Sequence, residues 1–107
     1  MNEQGFKDKT KRMAIRAIRL VESLPKNATT DVIGKQLLRR PSVGANYRAA
    51  CRAKSSADMI AKLAIVEEEA DESMYWIELL IELNLVTSAR LANLLDELNE
   101  IVAITVS

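Results

Sequence analysis

Residues 88–105 read SARLANLLDELNEIVAIT, and this stretch carries the clearest helical pattern in the chain. Its inward-facing side chains recur every three or four positions, so they line one face of an α-helix. They are Leu91, Leu94, Leu95, Leu98, Ile101, Val102 and Thr105. Thr87 or Ser88 can cap this helix, because a short hydroxyl side chain accepts a hydrogen bond from the first free backbone amides. The stretch therefore predicts the last helix of the chain.

Two further helices are predicted in the first half of the sequence. The stripe of the first consists of Phe6, Thr10, Met13, Ala17, Leu20, Val21 and Leu24. This helix ends at Pro25, and the second begins near Thr29, Thr30 or Asp31. The inward residues of the second are Ile33, Leu37, Gly44, Tyr47 and Cys51. Pro41 lies inside this pattern, so the second helix is predicted to be kinked or broken there.

A third helix is predicted from Ser55, which has capping-box spacing to Asp58, to the neighbourhood of Asn84. Its core stripe is Met59, Leu63, Val66, Ala70, Met74, Ile77 and Ile81. Short connections return successive helices as antiparallel neighbours, which predicts an all-α, up-down-up-down four-helix bundle. With 107 residues, three Gly and two Pro, the chain fits one helical domain over residues 1–107 and not an all-β fold.

The chain has one cysteine, Cys51, and no histidine. A single cysteine cannot form an intramolecular disulfide, which favours a reducing, cytoplasmic location. Without a histidine to activate it, Cys51 is predicted to be a small buried apolar residue and not a nucleophile. No apolar run approaches the roughly 18 residues of a membrane span, and Arg16 and Arg19 interrupt any signal-peptide core. We therefore expect a cytoplasmic protein that does not enter a membrane.

The formal net charge is zero, but the two halves of the sequence carry opposite charges. Residues 1–54 hold thirteen basic and four acidic side chains, which gives a net charge of +9. Residues 55–107 hold two basic and eleven acidic side chains, which gives −9. Such an asymmetry indicates either nucleic-acid binding or assembly between surfaces of opposite charge.

Basic side chains on the first two helices are spaced by three or four residues, so they form ridges. The candidates for contact with an RNA backbone are Lys9, Arg12, Arg16, Arg19, Arg48 and Arg52. A row of Lys and Arg can follow a line of phosphates. Alternatively, the ridge lies beside acidic helices, with Glu67, Glu69 or Glu72 as partners in the same molecule or a neighbouring subunit. The absence of aromatic residues from the ridge favours this alternative.

The third helix carries a second apolar face in addition to its core stripe. One stripe suffices for a helix in a bundle, and Trp is favoured at the centres of interfaces. We therefore predict self-association through this face and its acidic border. The candidate interface residues are Ile65, Glu69, Glu72, Trp76, Leu79 and Leu83. The alternative is that the face packs against the end of the kinked second helix.

The enzyme class considered is the helical nucleotide pyrophosphohydrolases, whose paired acids hold magnesium. The corresponding pairs here are Glu68-x-x-Asp71, Glu69-x-x-Glu72 and Glu97-x-x-Glu100. Carboxylates at this spacing can share a hard cation, but Glu68, Asp71 and Glu100 are predicted to face outward. A di-iron bundle site needs histidine, and no glycine-rich phosphate loop or nucleophile–base pair occurs. The sequence predicts a protein that is not an enzyme and uses no cofactor and no metal.

Three segments carry a family resemblance, and they read GKQLLR at 34–39, SVGANYRAA at 42–50 and EEADESMYW at 68–76. With Ala53-Lys54-Ser55 and Lys62-Leu63, they resemble the bacterial four-helix-bundle family first noticed as proteins encoded in intervening sequences of large-subunit ribosomal RNA genes. The resemblance implies a homopentamer with a central opening. It also implies kinship with the accessory protein of diversity-generating retroelements, which engages a reverse transcriptase and RNA through a basic surface. It assigns no biochemical function.

Together these features predict a non-enzymatic, homo-oligomeric helical bundle that serves as an RNA-binding or ribonucleoprotein accessory factor. Its predicted partners are further copies of itself and either RNA or a nucleic-acid-processing protein. The alternative function is a protein–protein adaptor with no nucleic-acid role.

Overall fold

The computed structural model describes residues 3–39 and 42–106, with side chains described except at 42–44 and 104–106. Within these ranges all regular structure is helical, and there is no strand. The five helices are α1 (Glu3–Ser23), α2 (Ala28–Arg39), α3 (Ser42–Cys51), α4 (Ser56–Glu82) and α5 (Ser88–Val106). The prediction of an all-helical chain is confirmed, but the predicted count of four is wrong. The predicted second helix is two helices, α2 and α3, and the expected kink at Pro41 lies outside the described residues.

The start of α2 is fixed by Asn27, and not by the three residues that the sequence suggested. The Asn27 side-chain Oδ1 accepts a hydrogen bond from the Thr30 amide at 3.0 Å, while the Thr30 hydroxyl accepts one from the Asn27 amide at 3.2 Å. This reciprocal pair is the arrangement of a capping box, in which two otherwise free donors are satisfied together. Asn27 is therefore the cap, and Thr30 lies one turn inside α2.

The predicted ends of α4 and the start of α5 are confirmed. The Ser55 hydroxyl accepts a hydrogen bond from the Asp58 amide at 3.1 Å, which caps α4. Asn84, just past the end of α4, has a φ of 58°, the left-handed conformation that commonly terminates a helix and that asparagine tolerates. The Thr87 hydroxyl accepts a hydrogen bond from the Arg90 amide at 3.3 Å and caps α5.

Helix α1 runs antiparallel to the chain on both of its sides, because residues later in α1 contact residues earlier in the neighbouring segment. On one side, α1 meets α5 through Lys9 with Glu100, Arg16 with Glu97 and Ser23 with Arg90. On the other side, Val21 packs on Gly34 of α2 and Phe6 packs on Tyr47 of α3. A Cβ atom at Gly34 would lie 3.0 Å from Val21 Cγ1, so this glycine permits the close approach of the two helices. Helix α4 packs against α2, α3 and α5.

The core is formed mainly by apolar side chains from α1, α2, α4 and α5, and α3 adds Ala50. The most deeply buried large side chains are Phe6, Met13, Leu37, Val66, Ile77, Leu80, Leu94, Leu98 and Ile101. The buried Thr10 hydroxyl donates to the Lys7 carbonyl at 3.0 Å, so its burial leaves no polar group unpaired. No helix in the described part of the chain is both long and apolar enough to cross a membrane.

Most residues of the predicted stripes are buried or half-buried, but two predictions are wrong. Cys51, predicted to be buried, is exposed because it is the last residue of α3. Met59, in the first turn of α4, is 47% exposed although its direction around the helix matches the buried stripe. Two further stripe residues, Gly44 and Thr105, lie outside the described side chains.

Candidate nucleic-acid interface

The basic ridge of α1 is divided between paired and free cations. Lys9 is almost completely buried and its ammonium group pairs with Glu100. Arg16 is half-buried, with its Nη1 atom 2.8 Å from Glu97 Oε1. These two residues therefore hold α1 against α5. For Lys9 and Arg16 the alternative interpretation is correct, because both pair with acidic residues of a neighbouring helix. That helix is α5, whereas the predicted partners, Glu67, Glu69 or Glu72, are on α4.

Arg12 and Arg19 remain as exposed cations on α1, and neither forms an ion pair with any described residue. They are seven residues apart, which is two turns or about 10 Å along one face of the helix. Ile15, between them, is 41% exposed. This part of the ridge is thus a solvent-facing strip with two unneutralised guanidinium groups.

Arg90 on α5 extends this strip, and the sequence analysis missed it. Its Nη2 atom donates to the Ser23 hydroxyl at 2.8 Å, which joins the start of α5 to the end of α1. Because Ser23 is uncharged, the charge of Arg90 is not neutralised by this bond. A signal was present in the sequence, since Arg90 is one of only two basic residues in the acidic half.

Arg48 and Arg52, the other two predicted RNA contacts, lie on a different face of the molecule. Both are exposed near the end of α3. Helix α3 meets α1 through the Tyr47 and Phe6 rings, whose centroids are 4.2 Å apart. Lys9 and Arg16 of α1 instead contact α5. The six predicted contacts therefore do not form a single surface.

The predicted oligomer interface is partly covered within the chain. Trp76 and Leu79 are half-buried against the core, whereas Ile65 and Leu83 are 47% and 50% exposed. The acidic border is also engaged, since Glu69 Oε1 accepts a hydrogen bond from the Asn46 side chain of α3.

Glu72, also in the predicted interface, is half-buried. Two apolar side chains near the start of α4 that were not in the predicted interface, Met59 and Ile60, are also exposed. Ile60, with 68% exposure, is the most exposed large apolar side chain in the described residues.

Cys51 lies beside Tyr47 and Glu3, and the three groups change one another's pKa values. Burial raises the pKa of Tyr47 to about 12. Partial desolvation and a hydrogen bond to Glu3 raise the pKa of the Cys51 thiol above its ordinary value. The same hydrogen bond, together with Lys7, lowers the pKa of Glu3. Because a raised pKa disfavours the thiolate, this environment does not activate Cys51 as a nucleophile.

The raised pKa of Tyr47 predicts a loss of stability in alkali. Folding holds the phenol proton more tightly than the unfolded chain does, where the pKa is about 10. The stabilisation is therefore complete below about pH 10 and is lost as the pH rises through about 12. Urea midpoints across this range should fall more for the parent than for Tyr47→Phe, which has no proton to lose. Equal falls in both proteins would contradict the prediction.

The acids considered for magnesium lie on two helices, α4 and α5. Glu68, Asp71 and Glu100 are exposed, as predicted, and Glu100 is paired with Lys9. Glu97 is half-buried and is paired with Arg16. The described residues contain no group of three or more histidine, cysteine, aspartate or glutamate side chains that could hold a metal ion.

Comparison with known proteins places the chain in a family. The sequence matches the family model of the 23S rRNA-intervening sequence protein over residues 3–107. The structure is similar to the crystal structure of a protein of unknown function from the S23 ribosomal protein family of Bacteroides thetaiotaomicron VPI-5482. The two sequences are 37% identical, the match covers 94% of each chain, and the TM-score is 0.87. No curated protein matches at a significant level. The family model covers almost the whole chain, and the protein therefore belongs to the 23S rRNA-intervening sequence protein family.

Proposed function

We propose that the protein is a non-enzymatic, RNA-binding accessory factor that acts in the cytoplasm as a homo-oligomer. The observation that carries the proposal is the set of exposed arginines on α1 and α5 that have no acidic partner among the described residues: Arg12, Arg19 and Arg90. The intervening-sequence name of the family also supports a role connected with RNA. No cofactor or metal is part of the proposal.

The exposed arginines suit an RNA backbone better than an internal structural role. Nearby acids of α5 are already paired with Lys9 and Arg16, so they do not neutralise Arg12 and Arg19. A guanidinium group that faces solvent can form two parallel hydrogen bonds to one phosphate. Such contacts bind RNA through its charge and do not depend on its base sequence. Arg48 and Arg52 on α3 would form a second contact region.

The test is the salt dependence of RNA binding. We expect a labelled single-stranded RNA to bind the protein at about 50 mM salt and to lose affinity steeply toward about 200 mM, because phosphate neutralisation releases counterions. Fluorescence anisotropy measures the dissociation constant at each salt concentration. The absence of binding even at the lowest salt concentration would exclude the RNA function.

The proposed assembly is a homopentamer of four-helix bundles, in which α2 and α3 together take the place of one helix. The family resemblance supports the bundle and the number of subunits. The exposed apolar side chains of α4 support self-association, since apolar surface of this kind is characteristic of protein interfaces. Ile60, the most exposed of these side chains, is the proposed centre of the contact.

The assembly can be tested by light scattering coupled to size exclusion. We expect a mass close to five times the 11.9 kDa of one chain, and a smaller mass for Ile60→Asp, because a buried carboxylate without a partner is costly. Val32→Asp is the matched control, since Val32 is also well exposed (56%) but lies on α2. A parent mass of one chain at all concentrations would contradict the assembly.

A protein–protein adaptor without a nucleic-acid role is the second candidate, and the same exposed apolar residues favour it. Met59, Ile60 and Ile65 offer a surface that a different protein could cover. The two functions differ in their response to salt, because contact between apolar surfaces is much less sensitive to salt than contact with phosphates. An oligomer that binds no RNA would favour the adaptor.

A further inference from the structure

A shallow groove of about 170 Å³ lies between α1 and α5, and three arginines line it. Arg16 and Arg19 come from α1, and Arg90 comes from α5. The remaining lining residues are Leu20, Leu91 and Leu94, which are each less than 5% exposed and belong to the core. The groove therefore has a closed apolar floor and a basic rim.

Two of the three arginines on the rim form no ion pair with a described residue. Arg16 is neutralised by Glu97, with 2.8 Å between Nη1 and Oε1. Arg90 is held by the uncharged Ser23 hydroxyl, and Arg19 has no ion pair in the part of the chain that the structure describes. Two forked guanidinium groups on opposite walls suit a tetrahedral anion with several acceptor oxygens, and phosphate is such an anion.

The size of the groove indicates that the phosphate belongs to a larger ligand. Sites for whole small molecules usually have volumes of about 300–1,000 Å³ and enclose most of the ligand. A groove of about 170 Å³ with a closed floor can hold one phosphate group while the rest of the ligand continues along the surface. Arg12, on the same helix and also exposed, can receive a neighbouring phosphate.

We propose that this groove binds one backbone phosphate of RNA, with Arg19 and Arg90 as the direct contacts. The assignment rests on the proposed RNA function. It adds to that function a specific site, and it includes Arg90, which lies in the acidic second half of the sequence. Arg16 lines the groove on the same helix as Arg19. Glu97 is a positioning residue that holds the guanidinium group of Arg16. Glu97 Oε2 is buried and has no hydrogen-bond partner among the described atoms, so this carboxylate binds Arg16 through one oxygen only.

Two single substitutions should change RNA affinity in opposite directions. Arg90→Gln removes a charged hydrogen-bond donor, and we expect it to weaken binding about tenfold. Glu97→Gln keeps the shape of the side chain but releases Arg16 from its counter-charge, and we expect binding to tighten a few-fold. Lys54→Gln is the matched control for loss of one positive charge. It lies in the connection after α3, three residues beyond Cys51, which contacts Glu3 at the end of α1 remote from Arg90.

The experiment combines fluorescence anisotropy with labelled single-stranded RNA and NMR titration with inorganic phosphate. Circular dichroism confirms that each variant is folded. We expect amide shifts at Arg90 and Leu91 with either probe, and loss of these shifts in Arg90→Gln. If Arg90→Gln and Lys54→Gln weaken RNA binding equally, the groove is not the site.

The phosphate titration separates failure of the site from failure of the function. Shifts at Arg90 with inorganic phosphate, without RNA binding by the parent, would support a phosphate site and overturn its assignment to RNA. RNA binding without shifts at Arg90 and Leu91 would overturn the groove and leave the proposed function in place. Absence of both responses would overturn both.

Discussion

Phe6→Ala should lower the free energy of unfolding by about 3–5 kcal/mol, the largest effect that we expect of any single substitution. Phe6 is only 2% exposed, and its ring meets Tyr47 edge-on with 4.2 Å between the ring centroids. Truncation removes this contact and leaves a cavity where α1 meets α3, and packed neighbours close such cavities only in part. Urea denaturation followed by circular dichroism at 222 nm, the usual helix signal, gives the change directly.

The matched control is Phe6→Leu, which keeps most of the apolar volume and should cost less than about 1.5 kcal/mol. Both variants lose the ring contact, so the difference between them reports the cavity. If Phe6→Ala cost less than 1 kcal/mol, α1 would not be packed as the structure shows. The proposed RNA site would then also need revision, because α1 carries the exposed arginines.

The double substitution Arg12→Gln, Arg19→Gln should weaken RNA binding by at least about tenfold at low salt, because hydrogen bonds to charged groups contribute about 1.5–3 kcal/mol each. The plot of log K against log salt should flatten by about 1.4–1.8, since each lost phosphate contact lowers the slope by about 0.7–0.9. Both residues are exposed, so stability should change by no more than about 0.5 kcal/mol. Arg16 is left unchanged because it is paired with Glu97.

The design includes two matched double variants. Arg48→Gln, Arg52→Gln removes two charges from the α3 face and measures the contribution of that second region. Lys35→Gln, Lys54→Gln removes one charge from α2 and one from the connection after α3, and it should flatten the slope less than the α1 double does. If all three doubles flatten the slope equally, binding depends on total charge alone and α1 has no special role.

The periodicity of the sequence predicted the helices well because each helix must bury one continuous stripe. The stripe of α1 is buried from Phe6 to Leu24 with the predicted phase. The cap at Ser55 was predictable as well, since a hydroxyl three residues before its partner amide has one simple geometry. Periodicity could not show where the neighbouring helices end, and therefore which residues near a helix end they leave uncovered. Met59 points toward the core side of α4 and Cys51 lies in the predicted register, yet both are exposed near helix ends.

The candidate site was less predictable, because spacing along one helix does not identify the helix that lies beside it. Lys9 and Arg16 belong to the same ridge as Arg12 and Arg19, but a small rotation around α1 turns the first two toward α5. The sequence could not show that Glu97 and Glu100 would be their partners. Arg90 was missed for the same reason, since only the antiparallel packing of α1 and α5 brings it to Ser23.

The seam between α1 and α5 joins residues that are far apart along the chain. The pairs Lys9–Glu100, Arg16–Glu97 and Ser23–Arg90 span 91, 81 and 67 residues. Closing such long loops costs more chain entropy than forming local pairs such as α4 with α5, so we expect the seam to form after them. The groove with Arg19 and Arg90 lies along this seam, so it needs the seam to be closed. An opened seam would separate Arg19 from Arg90, so any phosphate bound between them would stabilise the closed seam.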